Sequence, residues 1–318
     1  MNLAYVFPGQ GSQSIRMMTD FAASFPEIKQ TFEQGSDILQ QDLWKIVATG
    51  PEEDLNRTEN TQPIMLCAST ATWKVWQKHC TATPIKMAGH SFGEYSALVC
   101  SEALDFETAL PLARYRGQVM QQAVPEGQGA MAAILGLEDQ ALAEVCEQAA
   151  QGQVVQAVNF NAPGQIVIAG NAEAVARAVE AAKSAGAKRA ITLPLSVPSH
   201  SALMQPAAEQ LSDYLDNITM QSPKVDVIQN VDVKAYFEIS DIKDALCRQL
   251  FNPVRWVETI QQIVSDGANA LIELGPGKVL TGLTKRIDRK LPCYGVHDAK
   301  SMEQALGNLE NFTNEVVQ

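Results

Sequence analysis

The order of apolar and polar runs along the chain predicts one large sheet of buried strands covered by helices. Strands are predicted where short apolar runs occur, at 3–7, 85–89, 225–228 and 270–274. The residues at 64–78, which follow Pro63, have the spacing of an amphipathic helix. Because strands that alternate with helices form parallel sheets, these segments predict an α/β domain.

The pattern changes in the middle of the chain. The predicted elements there are a strand at 130–135, a helix at 138–149, strands at 154–160 and 165–169, a helix at 172–185 and a strand at 190–193. This βαββαβ order is that of the ferredoxin-like unit. We therefore expect an α/β-hydrolase-like large domain at 1–126 and 198–318, with a ferredoxin-like small domain inserted at 127–197. After Pro198 the chain returns to the large domain through a helix that starts at Ser201.

Charge and composition exclude some classes of partner. The formal net charge of −12 argues against nucleic acid or an anionic membrane as the main partner, since both require a cationic face. No segment approaches the roughly 20 consecutive apolar residues that span a bilayer, and the short apolar run at the start lacks the form of a signal peptide. The six cysteines form no CxxC pair, which favours reduced thiols over disulfides or a zinc site. We expect a cytoplasmic protein, a monomer, that binds no metal.

A nucleophile motif follows the second predicted strand. Residues 89–93 read GHSFG, a match to G-x-S-x-G between an apolar strand and a helix that begins near Glu94. Gly89 and Gly93 allow the tight turn, and Ser91 would lie at the helix N-terminus, where developing negative charge is favoured. The alternative is a serine that only caps a helix in a glycine-rich turn. His90 is expected to pack away from the Ser91 hydroxyl.

A nucleophilic serine needs a base, and the chain has four histidines. His79 and His297 are expected at the surface or capping helices. His200 follows a proline-bounded turn and precedes a helix, so it is predicted on a loop at the edge of the large domain. Loops at the carboxyl ends of parallel strands converge on one crevice, which makes His200 the candidate partner of Ser91.

An oxyanion site is predicted in the turn after the first strand. Residues 7–13 read FPGQGSQ, and the glycines allow the backbone to come close to a substrate. The backbone N–H groups of Gln10 and Phe92 are candidate donors to a tetrahedral oxygen. The same turn could also bind phosphate or simply connect a strand to a helix, although it lacks the G-K-[ST] ending of a Walker motif.

Six dispersed motifs together resemble one family. They are FPGQGSQ at 7–13, GHSFGE at 89–94, RYRG at 114–117, NFNAPGQ at 159–165, PSH at 198–200 and ELGPG at 273–277. In this order the chain resembles the malonyl-CoA:acyl carrier protein transacylases over essentially its whole length. The resemblance implies transfer of a malonyl group from coenzyme A to the phosphopantetheine thiol of acyl carrier protein, with no cofactor beyond the substrate thioester.

The resemblance also implies roles for individual residues. Ser91 would be the nucleophile and His200 the general base, with the imidazole oriented by the backbone carbonyl of Gln249. Arg116 would bind the malonyl carboxylate, while Met120 and Asn161 would line the acyl pocket. The small Ser199 before the histidine, where strict relatives in polyketide synthesis often carry Phe, leaves room for methylmalonyl.

Arg116 also has a physical rationale, because a carboxylate taken into a dry site needs a counter-charge and guanidinium offers a planar, two-point fit. Taken alone, Arg116 could be a surface ion pair. Two basic pairs, Lys188–Arg189 and Lys285–Arg286, are candidates to dock the acidic carrier protein, although each pair alone could be ordinary solvated charge. The rival functions are a malonyl transferase of polyketide synthesis, a serine thioesterase, and a carrier-binding module without catalysis.

Overall fold

The structure is a computed structural model that describes residues 2–195 and 197–315. The strands in this part of the chain are β1 Leu3–Phe7, β2 Lys86–Gly89, β3 Gly129–Leu135, β4 Val155–Ala162, β5 Gln165–Asn171, β6 Arg189–Thr192, β7 Val227–Gln229, β8 Lys234–Ala235, β9 Ala270–Leu274 and β10 Cys293–Val296. The helices are α1 Thr19–Ser24, α2 Pro26–Leu39, α3 Leu43–Thr49, α4 Glu52–Asn56, α5 Thr58–His79, α6 Gly93–Cys100, α7 Phe106–Ala123, α8 Asp139–Ala150, α9 Ala172–Ser184, α10 Gln205–Asp216, α11 Ile239–Gln249, α12 Trp256–Ser265, α13 Val279–Ile287 and α14 Ala299–Glu315, with a 3-10 helix at Ala202–Met204.

The larger sheet has the order β10-β9-β1-β2-β7-β8, and its neighbours are parallel except for the β7–β8 pair. Every residue of the central strand β1 is buried, because helices cover both faces of a parallel sheet. In the register of β1 and β2, Phe7 pairs with Gly89. The turn after β1 and the turn after β2 therefore leave the sheet side by side, at its carboxyl edge.

The smaller sheet is antiparallel, with the order β4-β5-β3-β6. Its elements follow the chain as β3, α8, β4, β5, α9 and β6, so the predicted βαββαβ order is confirmed, with bounds close to those predicted. Ile134 and Ile168 of the sheet pack with Leu142 of α8 and Val175 of α9 in an apolar cluster. The helices thus bury one face of this sheet.

The edge strand β4 of the smaller sheet is joined to the chain that precedes α12. Asn159 forms a parallel bridge with Val254. The N–H of Phe160 donates to the Val254 carbonyl at 3.0 Å, and the N–H of Val254 donates to the Val158 carbonyl at 2.8 Å. The smaller sheet is therefore connected by backbone hydrogen bonds, as well as by the covalent chain, to the loop that leads into α12.

Some predicted bounds were wrong. The helix predicted at 64–78 is α5, which begins at Thr58 and includes Pro63. Proline removes one backbone hydrogen bond, but α5 is buried around Pro63, and this packing outweighs the local preference. The helix expected from Ser201 is instead a 3-10 turn followed by α10, which has a proline in its first turn. The strand predicted at 225–228 lies at Val227–Gln229.

All six cysteines are unpaired, and three of them are buried, as expected for reduced thiols. No helix in the described residues has the length and apolar character needed to cross a membrane. Among the same residues, His, Cys, Asp and Glu side chains form no cluster of three or more that could hold a metal ion.

Candidate active site

Ser91 lies in the sharp turn between β2 and α6, as the motif predicted. Its φ is +52°, in the left-handed region that L-residues seldom adopt. A Cβ on Gly89 would lie 1.8 Å from the carbonyl carbon of Gly93, and a Cβ on Gly93 would lie 2.1 Å from the carbonyl oxygen of Phe7. The two glycines of the motif are therefore required by the close approach of strand, turn and helix.

His200 meets Ser91 across this turn. The Oγ of Ser91 lies 2.7 Å from Nε2 of His200, and Nδ1 of His200 lies 2.7 Å from the backbone oxygen of Gln249. Since a carbonyl only accepts, Nδ1 carries the proton, and Nε2 is left to accept the proton of the Ser91 hydroxyl. The backbone N–H of His200 also donates to the carbonyl of Leu250 at 2.8 Å, which fixes the loop.

His200 is 3% exposed, and its environment keeps the imidazole neutral. Burial is the largest cause that lowers its pKa from 6.5 to about 3, and the positive charge of Arg116 lowers it further. The Gln249 carbonyl opposes both effects because it accepts from the protonated ring nitrogen. A neutral imidazole with a free Nε2 lone pair is the form that can act as a base.

Arg116, on α7, is a buried cation rather than a surface ion pair. Its side chain is 1% exposed, and Nη2 donates to Oε1 of Gln249 at 2.9 Å. The guanidinium carbon lies 5.8 Å from the ring centroid of Phe92 and 5.4 Å from that of Tyr95. In the described part of the chain Arg116 has no carboxylate within ion-pair distance, and Nε lacks a hydrogen-bond partner. The site thus holds an unneutralised positive charge that suits an anionic ligand.

Gln249 contacts each of these groups. Its backbone oxygen binds His200, its Oε1 binds Arg116, and its Nε2 donates to the Ser91 carbonyl at 3.1 Å. The side chain is completely buried at the end of α11. Only the backbone contact was predicted from the sequence.

The candidate oxyanion donors Gln10 and Phe92 lie on the two adjacent turns. A Cβ on Gly9 would be 2.3 Å from the His90 carbonyl oxygen and 3.6 Å from the Phe92 nitrogen, so the first turn rests directly on the nucleophile turn. Within residues 2–195 and 197–315, neither the N–H of Gln10 nor that of Phe92 donates to another protein group. Both residues line the same small cavity as Ser91.

This cavity has a volume of about 100 Å³, and its walls include Ser91, His200, Arg116, Met120 and Ser199. A larger cavity of about 410 Å³ adjoins it, and the two share Gln10, Asn56, His90, Met131, Asn159, Pro194 and Leu195 among their lining residues. Gly11 and Leu283 line only the larger cavity. The arrangement offers a short pocket for an acyl group and a wider approach for the group that carries it.

Asn161 lines the larger cavity, where its Oδ1 lies 2.7 Å from Nε2 of His90. The His90 ring packs edge-on against Trp256, with centroids 5.3 Å apart. The prediction that His90 packs away from the Ser91 hydroxyl is correct in that the ring bonds Asn161, but His90 also lines both cavities. Its role as part of the wall was missed.

Glu94 and Asn230 are buried residues of the site that were not singled out from the sequence. The backbone N–H of Asn230 donates to Oε2 of Glu94 at 2.7 Å. Burial is the main cause that raises the pKa of Glu94 from 4.5 to about 8, so the carboxyl is mostly neutral at pH 7. Glu94 belongs to the quoted GHSFGE motif, which was a signal for it, whereas nothing in the sequence around Asn230 indicated a site.

The four basic residues Lys188, Arg189, Lys285 and Arg286 are exposed. None of them lines either cavity, and none forms an ion pair with another residue of the described chain. The structure therefore does not bring them into the cavity that holds Ser91 and His200. His79, at the end of α5, is exposed as predicted.

The family match and the most similar sequences in the comparison with known proteins agree with one another. The acyl transferase domain family matches residues 4–311. The malonyl CoA-acyl carrier protein transacylase of Escherichia coli O157:H7 is 54% identical over 95% of this chain and 98% of that protein. The protein of the same name from Haemophilus influenzae is 55% identical over 94% of this chain and 96% of that protein.

Solved structures agree with the sequence comparison. An acyl carrier protein S-malonyltransferase from Vibrio cholerae O1 biovar eltor has a TM-score of 0.93 and 54% identity, covering 96% of this chain and all of that one. A malonyl-transacylase in complex with a holo type II PKS acyl-carrier protein has a TM-score of 0.95 and 53% identity, covering 97% and 100%. The chain therefore belongs to the acyl transferase domain family, and within it to the malonyl CoA-acyl carrier protein transacylases.

Proposed function

We propose that this protein transfers a malonyl group from malonyl-CoA to the phosphopantetheine thiol of acyl carrier protein, in fatty acid biosynthesis. The observation that carries the proposal is the unneutralised, buried guanidinium of Arg116 in the cavity that also holds the hydrogen-bonded pair of Ser91 and His200. The pair supplies acyl transfer, and the guanidinium supplies selectivity for an acyl group that ends in a carboxylate.

In the first half-reaction, His200 Nε2 takes the proton of the Ser91 hydroxyl while Oγ attacks the thioester carbonyl carbon. The tetrahedral oxygen then accepts from the N–H groups of Gln10 and Phe92. The carbon–sulfur bond breaks, and the coenzyme A thiolate leaves as the thiol with the proton that His200 took from Ser91. The 2.7 Å hydrogen bond between Oγ and Nε2 supports this assignment.

In the second half-reaction, the thiol of the carrier protein gives its proton to His200 and attacks the malonyl-serine carbonyl. Ser91 leaves and regains the proton. Both half-reactions balance with thioester, thiol and the residues named, so the proposed cycle uses no metal or redox cofactor. The Gln249 carbonyl holds the imidazole in the same orientation throughout, in place of a triad aspartate.

Arg116 is proposed to bind the malonyl carboxylate, with Met120 on the wall of the acyl pocket and Asn161 on the wall of the adjoining cavity. A guanidinium that already donates one Nη2 hydrogen bond to Gln249 keeps other N–H groups for a two-point contact with a carboxylate. Ser199 is a small side chain on the wall of the same cavity, and we expect methylmalonyl to be excluded only in part.

The four exposed basic residues Lys188, Arg189, Lys285 and Arg286 are proposed to dock the acidic carrier protein. What supports this proposal is unpaired positive charge on a chain whose net charge is −12. A carrier protein of polyketide synthesis is the second candidate partner, because one relative with 53% identity is in complex with a type II PKS carrier protein.

We also propose the finer description of the fold, the domains and the setting. The strand order β4-β5-β3-β6 supports a ferredoxin-like domain at 127–197, inserted into an α/β-hydrolase-like domain formed by 1–126 and 198–318. Six unpaired cysteines fit a reducing compartment, in line with a cytoplasmic location. We propose a monomer, which sedimentation would test.

The test is to incubate the protein with labelled malonyl-CoA, acetyl-CoA and methylmalonyl-CoA, each with and without carrier protein, and to map the labelled peptide. We expect malonyl label on the peptide that contains Ser91, and its transfer to the carrier when the carrier is added. Release of free malonate at the same rate without carrier would instead indicate a thioesterase. Absence of any labelled peptide would indicate a binding module.

A further inference from the structure

Asn230 closes the nucleophile turn from the neighbouring strand. It follows β7, which lies beside β2 in the sheet, and its side chain is completely buried. Its Oδ1 accepts from the backbone N–H of Ser91 at 2.7 Å, and its Nδ2 donates to the backbone carbonyl of Gly89 at 2.7 Å. One planar carboxamide therefore ties together the end of the strand and the nucleophile.

The turn needs such a contact because its conformation is not one that serine prefers. The φ of Ser91 is +52°, in the left-handed region that is sterically unfavourable for an L-residue such as serine. The carbonyl of Ser91 accepts from Gln249 Nε2 at 3.1 Å, so both backbone polar groups of Ser91 are bound by side chains from distant parts of the chain. These two contacts add to the backbone hydrogen bonds within the turn, such as that from the N–H of Glu94 to the Ser91 carbonyl at 3.0 Å.

Asn230 is itself fixed. Its backbone N–H donates to Glu94 Oε2 at 2.7 Å, and Glu94 lies in the first turn of the helix that starts after Ser91. Asn230 thus bonds Gly89, Ser91 and Glu94, and the N–H of Glu94 donates to the Ser91 carbonyl at 3.0 Å, which closes the circuit. Asparagine suits this place because its amide presents one acceptor and one donor, which match the N–H of Ser91 and the carbonyl of Gly89.

We infer that Asn230 is a positioning residue for acyl transfer, which holds Ser91 in the left-handed conformation that places Oγ against Nε2 of His200. The inference rests on the proposed function, because it takes Ser91 as the nucleophile. Asn230 lines neither the cavity that holds Ser91 and Arg116 nor the larger cavity beside it, so we expect it to contact neither the acyl group nor the carboxylate of the substrate. Its loss should therefore slow acylation of Ser91 and leave substrate binding nearly unchanged.

The test measures Ser91 acylation by malonyl-CoA and by acetyl-CoA in single turnovers of Asn230→Ala, with kcat and KM measured in parallel. A displacement of a reacting group by about 1 Å can cost roughly 100-fold in rate, so we expect a fall in acylation rate on the order of 100-fold. The fall should be equal for both substrates, with KM within about threefold of the wild-type value, since carboxylate binding is untouched.

Two further variants keep the test decisive. Asn230→Asp keeps the shape of the side chain and the acceptor for the Ser91 N–H, but it puts a carboxylate oxygen where the donor to the Gly89 carbonyl was. Its rate of Ser91 acylation should fall by at least about tenfold. This variant gives a result even if Asn230→Ala folds poorly. Gln229→Ala is the matched control, because Gln229 is equally buried and the one hydrogen bond of its side chain to the described residues is to the Val227 carbonyl, at 3.3 Å. It should keep the wild-type acylation rate.

The inference is overturned if both Asn230 variants acylate within twofold of wild type, if the loss appears in KM with kcat unchanged, or if Gln229→Ala loses as much. Ser91→Ala, measured in the same experiment, separates this failure from that of the proposed function. If Ser91→Ala is still labelled, the assignment of the nucleophile fails. If it is not labelled while Asn230→Ala keeps its rate, only the inference on Asn230 fails.

Discussion

The Nη2 of Arg116 lies 2.9 Å from the side-chain oxygen of Gln249, whose backbone oxygen lies 2.7 Å from Nδ1 of His200. A single residue therefore joins the group proposed to bind the substrate carboxylate to the group proposed to move the proton. The charge of Arg116 also lowers the pKa of His200 directly. Substrate binding and base strength are thus expected to depend on one another.

We expect Ser91→Ala to abolish covalent labelling by malonyl-CoA, because the acyl acceptor is lost. His200→Ala should still be labelled, but at a rate lower by at least the roughly 100-fold typical of a lost general base. Rapid-quench labelling followed by peptide mapping measures both. Stoichiometric label in Ser91→Ala would contradict the assignment of the nucleophile.

Arg116→Ala should invert the preference between malonyl-CoA and acetyl-CoA. The malonyl carboxylate would enter a site without a counter-charge, with a loss on the order of 3 to 5 kcal/mol in transition-state stabilisation, while acetyl transfer should be kept or improved. Arg116→Lys should restore only part of the preference, since ammonium lacks the planar two-point fit. Values of kcat/KM for both substrates measure the effect, and equal losses on both would show a general structural role.

The pH dependence of acetyl transfer should report the charge of Arg116. The pKa of His200 is lowered to about 3, first by burial and then by Arg116, so wild-type kcat/KM for acetyl-CoA should not fall until the pH is far below 6. Removing the positive charge in Arg116→Ala raises the pKa of His200, and the acid loss of activity should begin at higher pH. Arg116→Lys keeps the charge and should keep the wild-type profile. If Arg116→Ala loses activity at the same acid pH as the wild type, the charge of Arg116 does not control the pKa of His200.

Glu94 should make stability fall as the pH rises. Its pKa is raised by burial from 4.5 to about 8, so its contribution is fully present below pH 4.5 and is lost as the pH rises towards 8. At about 1.4 kcal/mol for each pKa unit, the loss at pH 7 is on the order of 3 kcal/mol. Glu94→Gln keeps an acceptor for the Asn230 N–H and cannot ionise.

Urea unfolding of wild type and Glu94→Gln at pH 5 and pH 8 checks this prediction. The unfolding free energy of Glu94→Gln minus that of the wild type should be larger at pH 8 than at pH 5. A constant difference in unfolding free energy across the range would show that the Glu94 carboxyl titrates normally.

Charge reversal at Lys188, Arg189, Lys285 and Arg286 should slow malonyl transfer to the carrier protein and weaken its salt dependence, because docking would lose its electrostatic attraction. Acylation of Ser91 by malonyl-CoA should keep its wild-type rate, since these side chains line neither cavity. The control reverses Lys29 and Lys45, which are exposed on α2 and α3. Unchanged carrier kinetics in the fourfold variant would place docking elsewhere.

The sequence predicted those parts of the site that lie in turns directly after strands. Ser91 lies after β2 with its flanking glycines, and the turn after β1 lies beside it because parallel strands end at one edge. Contacts between buried polar side chains could not be predicted in this way. Asn230 and Ser91 are 139 positions apart, and Arg116 and Gln249 are 133 apart, so only the folded packing decides which donor meets which acceptor.

The bounds of α5 were missed for a related reason. Pro63 marks a boundary by local preference, yet the helix continues through it because its neighbours are buried. Gly117 of α7 shows how close this packing is, since a Cβ there would lie 2.7 Å from the Thr58 carbonyl oxygen. Local propensity gives way where two helices approach this closely.

The backbone pairing of Asn159 with Val254 bears on how these enzymes can be recombined. An exchange of 129–192 for the matching segment of a relative would cut no strand of the larger sheet, but it would replace Met131 and Asn159, which line the cavity beside Ser91. It would also require the new edge strand to meet Val254 in register. Chimeras made at these boundaries should therefore differ from this protein in acyl selectivity. Chimeras that also carry 252–256 from the same donor should fold more readily than those that do not.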